Sequence, residues 1–256
     1  MAVEDERIVA LHLKQQLTKL GFDVAAVAAS GEIALRDIVD HHPDLVLMDI
    51  HIEGDMDGIE TAARILADLG IPVIYLTAYS EEATFERARA TKPYGYLIKP
   101  YSERELYATI QMALERRNVE MALRASEERF RSIFAAISEG VFVIDMPTGI
   151  FTEVNEAGCA IFGYAPGDLV GCDIGLILAG EAPYARDEAV AQIEQAPASG
   201  APHQFAWRCR TKDGQRFWAE VSLRSASIGG RRVALSIVRR LASSGGGSPP
   251  AGSRSP

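Results

Sequence analysis

The 256-residue chain contains no apolar run of about 18 residues, the length a membrane-crossing helix requires. Its first residues, Met1-Ala2-Val3-Glu4-Asp5-Glu6, lack a basic stretch followed by an apolar one, so no secretory signal is read there and a cytoplasmic location is expected. Cysteine is scarce. Cys159, Cys172 and Cys209 have no C-x-x-C spacing and no adjacent histidine pair, which argues against zinc and for small core residues in a reducing compartment. His12, His41, His42, His51 and His203 form no ligand pair either. No helix-turn-helix with a basic recognition helix is visible, so direct nucleic-acid binding is not expected. Nothing after Leu241 is long enough for a catalytic domain, so no output enzyme is expected.

What is present is a globular composition, 48% apolar and 24% charged, in a chain long enough for two domains. The net charge of −9 is uneven: residues 1–117 carry 20 acidic and 12 basic side chains. An acidic half of this kind suits either a carboxylate site for a cation or a merely soluble surface.

From Asp5 to about Arg117, short apolar runs alternate with amphipathic stretches, the pattern of a parallel sheet covered by helices on both faces. Strands are expected at Ala2 to Glu4, Asp23 to Ala28, Asp44 to Met48, Val73 to Thr77 and Gly95 to Ile98. Leu45-Val46-Leu47-Met48 is apolar throughout, as a strand buried on both faces should be. Helices are expected at Glu6 to Leu20, Gly31 to His41, Ile59 to Leu69 and Glu81 to Thr91, with Ser30, Ser80 and Ser102 as N-caps and Gly21 and Gly70 as C-caps. Ser102 to about Ile137 contains neither Gly nor Pro and reads as one long helix. Its Tyr107, Ile110, Leu114 and Met121 fall at 3 and 4 spacing, while Arg117 and Arg124 interrupt the seam. Residues 118–137 are therefore either a short coiled coil or a solvated linker helix.

After Glu139 the signals become antiparallel. Gly140 to Asp145 and Ile150 to Val154 flank a Pro147-Thr148-Gly149 turn, and Asn155 caps a helix running to Phe162. A helix at Arg186 to Gln195 precedes strands at His203 to Thr211, Arg216 to Ser225 and Arg232 to Arg239. The Ser, Gly and Pro of the tail, 242–256, cannot bury enough surface to offset ordering entropy, so disorder is expected there.

Loops at the carboxyl ends of parallel strands converge on one edge of the sheet. Here that edge gathers Glu4 and Asp5, Asp49, Thr77, and Lys99-Pro100. Crowded carboxylates call for a cation, and oxygen-only donors favour Mg²⁺. With a lysine and a hydroxyl added, the set meets the needs of phosphoryl transfer to a carboxylate.

The residues Val3-Glu4-Asp5-Glu6, Leu47-Met48-Asp49-Ile50, Met56-Asp57-Gly58, Leu76-Thr77-Ala78 and Tyr96-Leu97-Ile98-Lys99-Pro100 resemble the receiver domain of two-component response regulators, over residues 1–117. The resemblance implies a doubly wound α/β fold, five parallel strands in the order 2-1-3-4-5. It implies Asp49 as phospho-acceptor, and Mg²⁺ held by Glu4, Asp5, Asp49 and the backbone carbonyl of His51. It also implies Thr77 and Tyr96 as the switch pair, Lys99 as the phosphate-binding cation and a cis Lys99-Pro100 peptide. Two departures stand out: only Met1-Ala2-Val3 precede the acidic pair, and the loop Ile50 to Gly58 lacks the common Pro.

Residues 126–241 resemble a PAS domain, an α+β fold with an antiparallel sheet. The carrying residues are Ser126-Glu127-Glu128-Arg129-Phe130, Gly140-Val141-Phe142-Val143-Ile144-Asp145, Val154-Asn155-Glu156-Ala157, Phe162-Gly163-Tyr164 and Lys212-Asp213-Gly214-Gln215-Arg216-Phe217-Trp218. Cys159 lies outside a photoactive-flavin motif and Arg186 to Gln195 offers no axial histidine, so no PAS ligand is expected. The two resemblances imply a phosphorelay protein. Its donor would be a histidine kinase or phosphotransfer protein, and its response a change in homodimerisation or partner contact through the linker and PAS module. The alternatives are a ligand-binding PAS sensor tuned by the receiver and a fragment of a hybrid histidine kinase.

Overall fold

The computed structural model describes residues 1–78 and 82–241; the expected Ser80 cap and the tail 242–256 lie outside the described residues. The chain divides into two compact units, 1–125 and 126 onward. Among the described residues no helix is long and apolar enough to cross a membrane.

In the first unit β1 (Ala2–Val3), β2 (Val27–Ala28), β3 (Val46–Asp49), β4 (Val73–Thr77) and β5 (Gly95–Ile98) form a parallel sheet in the order 2-1-3-4-5. Every residue of β3 is buried, because its side chains alternate between two cores. Val46 and Met48 pack with Ala34, Ile38, Ile59 and Ile65 of α2 (Gly31–His41) and the helical segment that starts with α3 (Gly58–Arg64). Leu45 and Leu47 pack with Leu13 and Leu17 of α1 (Arg7–Lys19) and with Leu106 and Ile110 of α5 (Glu103–Ala136). The remaining helix, α4 (Glu82–Ala90), lies between β4 and β5 in the chain.

Helix ends follow local chemistry. Asp57 caps α3 by accepting the Glu60 N–H at 2.8 Å. Before α5, Ser102 N–H donates to Glu105 Oε2 at 2.7 Å and Glu105 N–H to Ser102 Oγ at 3.2 Å, a reciprocal capping box.

Three expectations change. The strand expected over Asp23 to Ala28 pairs only at Val27–Ala28, because a two-residue β1 reaches no further back along it. The helix expected over Ile59 to Leu69 is α-helical only as α3 and widens into a π turn at Ile65–Leu69, for which nothing in the structure supplies a reason. On α5, Ile110 is buried and Leu114 packs on the same core, so both belong to the first unit's interior rather than to an exposed seam. The large apolar residues that α5 leaves exposed include Met112, Val119, Leu123, Phe130 and Ile133. Their steps of 7, 4, 7 and 3 match the a and d positions of a heptad.

In the second unit β6 (Gly140–Asp145), β7 (Ile150–Val154), β8 (His203–Arg210), β9 (Arg216–Ile228) and β10 (Arg231–Arg240) form an antiparallel sheet in the order 7-6-10-9-8. Its apolar face packs Phe142, Phe151, Phe205, Trp207 and Phe217 with Phe162 of α6 (Glu156–Phe162) and Ile193 of α7 (Arg186–Glu194). Asn155 does more than cap α6. Its Oδ1 accepts from Gly158 N–H and Val141 N–H, both at 2.8 Å, and its Nδ2 lies within donating reach of three carbonyls, Phe134 O and Ile137 O at 3.2 Å and Glu139 O at 2.9 Å. One buried amide thereby ties the end of α5 to the starts of β6 and α6.

Replacing Asn155 by Ala orphans several buried backbone groups at once and should destabilise the second unit by about 3 kcal/mol. Both tryptophans, Trp207 and Trp218, lie in that unit, so urea unfolding followed by tryptophan fluorescence reads the loss directly. A second expectation concerns Met1, whose amino group donates to Leu45 O at 2.9 Å. Burial pushes this group down from 8.0 to about 6, against the raising pull of Asp44 and Asp23. The unfolded chain then binds more protons than the folded one between those values, so this group makes stability rise from about pH 6 to pH 8. Thermal melts of the acetylated and free-amine forms across that range should differ in slope, with the rise present only in the free amine.

Candidate functional site

Parallel strands deliver their terminal residues to one edge, and Glu4, Asp49 and Lys99 meet there. Lys99 Nζ donates to Glu4 Oε2 at 2.7 Å and to Asp49 Oδ2 at 2.6 Å. Glu4 is 2% exposed and Asp49 7%, while the Lys99 side chain keeps a quarter of its surface in solvent. Asp49 Oδ1 accepts the backbone N–H of His51 at 3.0 Å, which fixes the carboxylate plane. The Lys99 N–H donates to Thr77 O at 2.8 Å, continuing the register that pairs Thr77 with Ile98. The Lys99-Pro100 peptide is cis.

The electrostatics are unbalanced. Burial raises the proton affinity of Glu4, and the Asp49 charge adds to this, while the Lys99 hydrogen bond opposes it. For Lys99, burial works against the charge, but hydrogen bonds to Asp49 and Glu4 hold its pKa above the usual lysine value. One ammonium faces two carboxylates, leaving net negative charge around oxygen donors, and such a site fits a hard divalent cation. Among the described residues no cluster of three or more His, Cys, Asp or Glu side chains is arranged to hold a metal. Glu4 and Asp49 are the carboxylates that the structure brings together here.

The other residues singled out in the sequence lie around this centre. Asp5 is partly exposed and makes no hydrogen bond or ion pair among the described residues. Thr77 is half-buried at the end of β4. Tyr96 pairs with Tyr75 across the sheet, and its ring lies 5.2 Å from that of Phe85 on α4. Its hydroxyl is buried without a partner among the described residues. Asp57 accepts from Arg87 Nη2 at 2.7 Å as well as capping α3, which links the loop after β3 to α4.

Sequence reasoning quoted Gly58 as part of a motif without seeing what it does. A Cβ at Gly58 would stand 1.9 Å from the backbone oxygen of Asp49, so only glycine allows α3 to start this close to the acceptor strand.

In the second unit a cavity of about 60 Å³ is lined almost wholly by apolar side chains, among them Phe142, Phe162, Phe205 and Trp207. The Trp207 indole N–H is buried without a partner among the described residues. Cys159 and Cys209 are buried free thiols, and burial pushes Cys209 up to about 12. Arg239 pairs with Glu220 at 2.6 Å, and both side chains remain exposed.

Comparison with known proteins matches residues 1–111 to the response regulator receiver domain and residues 128–240 to the PAS fold. The transcriptional regulatory protein PdtaR of Mycobacterium tuberculosis is 34% identical over 116 residues, covering 45% of this chain and 56% of the relative. An uncharacterised response regulatory protein of Vibrio cholerae is 38% identical over 121 residues, 45% of each chain. The chain thus spans about half the length of the curated relatives it matches. Among solved structures, the signal receiver domain of a modulated diguanylate cyclase from Desulfovibrio desulfuricans is 42% identical, covering 46% of this chain and 94% of that one, with a TM-score of 0.45.

Gly58→Ala should displace the backbone of Asp49 or of α3 and lower the stability of the first unit by about 2 kcal/mol. Thermal denaturation followed by circular dichroism measures this, and an unchanged midpoint would mean that the contact relaxes at no cost.

Proposed function

We propose that this chain, whose residues 1–111 match the response regulator receiver domain and whose residues 128–240 match the PAS fold, accepts a phosphoryl group on Asp49, and that its arrival is read out through α5 and the PAS unit. The observation that carries the reading is the Lys99 ammonium held between Glu4 and Asp49 at 2.7 and 2.6 Å.

Receivers interact with histidine kinases, and the donor here would be a phosphohistidine or a small acyl phosphate. An Asp49 carboxylate oxygen attacks phosphorus, the bond from phosphorus to the donor nitrogen or oxygen breaks, and the donor leaves with that electron pair. The His51 amide keeps the Asp49 carboxylate oriented during the attack. Lys99 and the Thr77 hydroxyl would then donate to the phosphoryl oxygens. Receivers use Mg²⁺ for phosphorylation; Glu4, Asp5, Asp49 and the His51 carbonyl would hold it, and when bound it supplies the positive charge that offsets developing negative charge. Lys99 can then exchange carboxylate partners for phosphoryl oxygen without stranding Glu4. Thr77 and Tyr96 would be the switch pair, since the Tyr96 ring packs on α4 through Phe85 and its hydroxyl has no hydrogen-bond partner among the described residues.

For the output we assign homodimerisation through α5 rather than a separate enzymatic step. The exposed heptad residues Met112, Val119, Leu123, Phe130 and Ile133 support this, because apolar side chains at that spacing match a second helix. A ligand-sensing role for the PAS unit is favoured by one observation only, the 60 Å³ apolar cavity lined in part by Trp207.

Incubation with acetyl phosphate and Mg²⁺ should add one hydroxylamine-labile phosphoryl group to the chain and none to Asp49→Asn. Peptide mass spectrometry locates it, and modification elsewhere or nowhere removes the central assignment. The double substitution Val119→Glu and Leu123→Glu should weaken self-association at least about tenfold by placing charge in the seam. Sedimentation velocity with and without acetyl phosphate reads this, and identical profiles for wild type and variant would separate α5 from assembly.

A further inference from the structure

Between Asp49 and α3 the chain runs through residues 50–57, and this loop carries the His51 N–H that orients the acceptor carboxylate. Its far end is tied down by side chains of two helices. Asp57 caps α3 and accepts from Arg87 of α4, while Thr61 Oγ1 of α3 donates to Asp57 O at 2.9 Å. Gly58 N–H closes the loop by donating to Ile50 O at 3.1 Å. A Cβ at Gly31 would stand 2.2 Å from that same Thr61 Oγ1, so the start of α2 is pressed against the start of α3.

The middle of the loop meets Glu32, in the first turn of α2. Gly54 has φ +134°, a conformation that favours glycine. A Cβ there would come 3.1 Å from Glu32 Oε2 and 3.6 Å from Ser30 Cβ, so the loop crosses directly over the start of α2. Ser30 caps that helix by accepting from Ile33 N–H at 3.4 Å. A hydrogen bond with the Ser30 side chain holds the Glu32 carboxyl below its usual range, helped by its own backbone N–H and, from the loop, by the backbone N–H groups of Asp55 and Met56. An acid in the first turn of a helix is ordinarily explained by the helix dipole. That explanation requires neither the close approach of Gly54 nor amides from a separate segment, and both occur here.

We propose that Glu32 is a positioning residue for phosphoryl transfer: its carboxylate gathers the amides of the loop after Asp49 and so keeps the His51 N–H aimed at Asp49 Oδ1. The inference rests on the Asp49 reading and adds to it a residue that does not touch the acceptor. The loop then hangs between two helices, held from α2 by Glu32 and from α4 by Arg87 through Asp57. Glu32 is exposed, so removing its side chain leaves the apolar cores intact and releases only the loop.

The test uses the full chain with Glu32→Ala, Glu32→Gln and, as a control, Asp40→Ala, which removes the same charge from the other end of the same helix. With acetyl phosphate and Mg²⁺, Glu32→Ala should be labelled at Asp49 about tenfold more slowly than wild type and Asp40→Ala at the wild-type rate. Glu32→Gln keeps a carbonyl oxygen for one amide and should fall between them. Hydrogen exchange read by NMR should be at least about threefold faster at the His51, Asp55 and Met56 amides of Glu32→Ala, with an unchanged melting midpoint. Unchanged exchange at these three amides overturns the proposal, as does labelling of Glu32→Ala at the wild-type rate. Absence of label from every form, wild type included, removes the Asp49 reading and this role with it, whereas normal labelling of Glu32→Ala removes this role alone.

Discussion

Everything at the acceptor edge depends on one ammonium group serving two buried carboxylates. Lys99 reaches Glu4 and Asp49 from the end of β5, so the carboxylates of two strands are balanced by a single side chain from a third. Two carboxylates this close repel by several kcal/mol at the effective dielectric of a partly buried site. The balance is incomplete: burial above all, with the Asp49 charge added, raises the proton affinity of Glu4 against the Lys99 hydrogen bond. A phosphoryl group on Asp49 would add negative charge to a centre that already has too little positive charge. Lys99 would then be shared among Glu4, Asp49 and the phosphoryl group, and the proposed Mg²⁺ would offset the charge that this sharing leaves.

The same lysine connects chemistry to mechanics. Its backbone N–H holds Thr77 O, so the end of β5 is in register with the end of β4, and Tyr96 lies opposite Tyr75 within that pairing. From β5 the chain enters α5, whose first half is fixed to the receiver by Leu106 and Ile110 in the core. Further along, Tyr94 Oη donates to Glu120 at 2.6 Å and Arg116 Nε donates to the same carboxylate at 2.8 Å, with the guanidinium lying over the Tyr94 ring. Near its other end Asn155 holds the carbonyls of Phe134 and Ile137. The helix is therefore held by hydrogen bonds at its middle and near its carboxyl end and exposes Leu123, Phe130 and Ile133 between them. A change in the grip at Tyr94 and Glu120 would alter what that stretch presents to a partner.

Much of the acceptor edge was legible in the sequence, because parallel topology converts strand order into proximity. Glu4, Asp49, Thr77 and Lys99 could be gathered without any distance, and the structure brings three of their side chains together around one nitrogen. Asp5 shows the limit of that logic: Glu4 and Asp5 both lie just past β1, and topology alone does not say which of the two is buried. Periodicity has a similar limit on α5. Ile110 and Leu114 satisfy a helical stripe equally well whether the stripe faces a partner helix or the chain's own sheet, and they face the sheet. Asn155 and Gly58 act through backbone atoms, Asn155 on three carbonyls and Gly58 on the oxygen of Asp49. Backbone partners carry no residue identity, so the sequence holds no trace of them beyond the Asn and Gly themselves.

The most deeply buried charge of the site depends on a short strand that pairs on both sides. Glu4 follows a β1 of two residues, and its own N–H completes that pairing by donating to Ala28 O at 3.0 Å. In a five-stranded sheet with β1 second in order, each residue of that strand answers to neighbours on both sides, so a short β1 weakens two ladders at once. Carboxylate repulsion pushes in the same place, since Glu4 carries the charge that Lys99 must share. Stability and function therefore converge on residues 1–4. Whatever steadies β1 also fixes the distance between Glu4 and Asp49, and with it the electrostatic balance on which the proposed phosphorylation of Asp49 would depend.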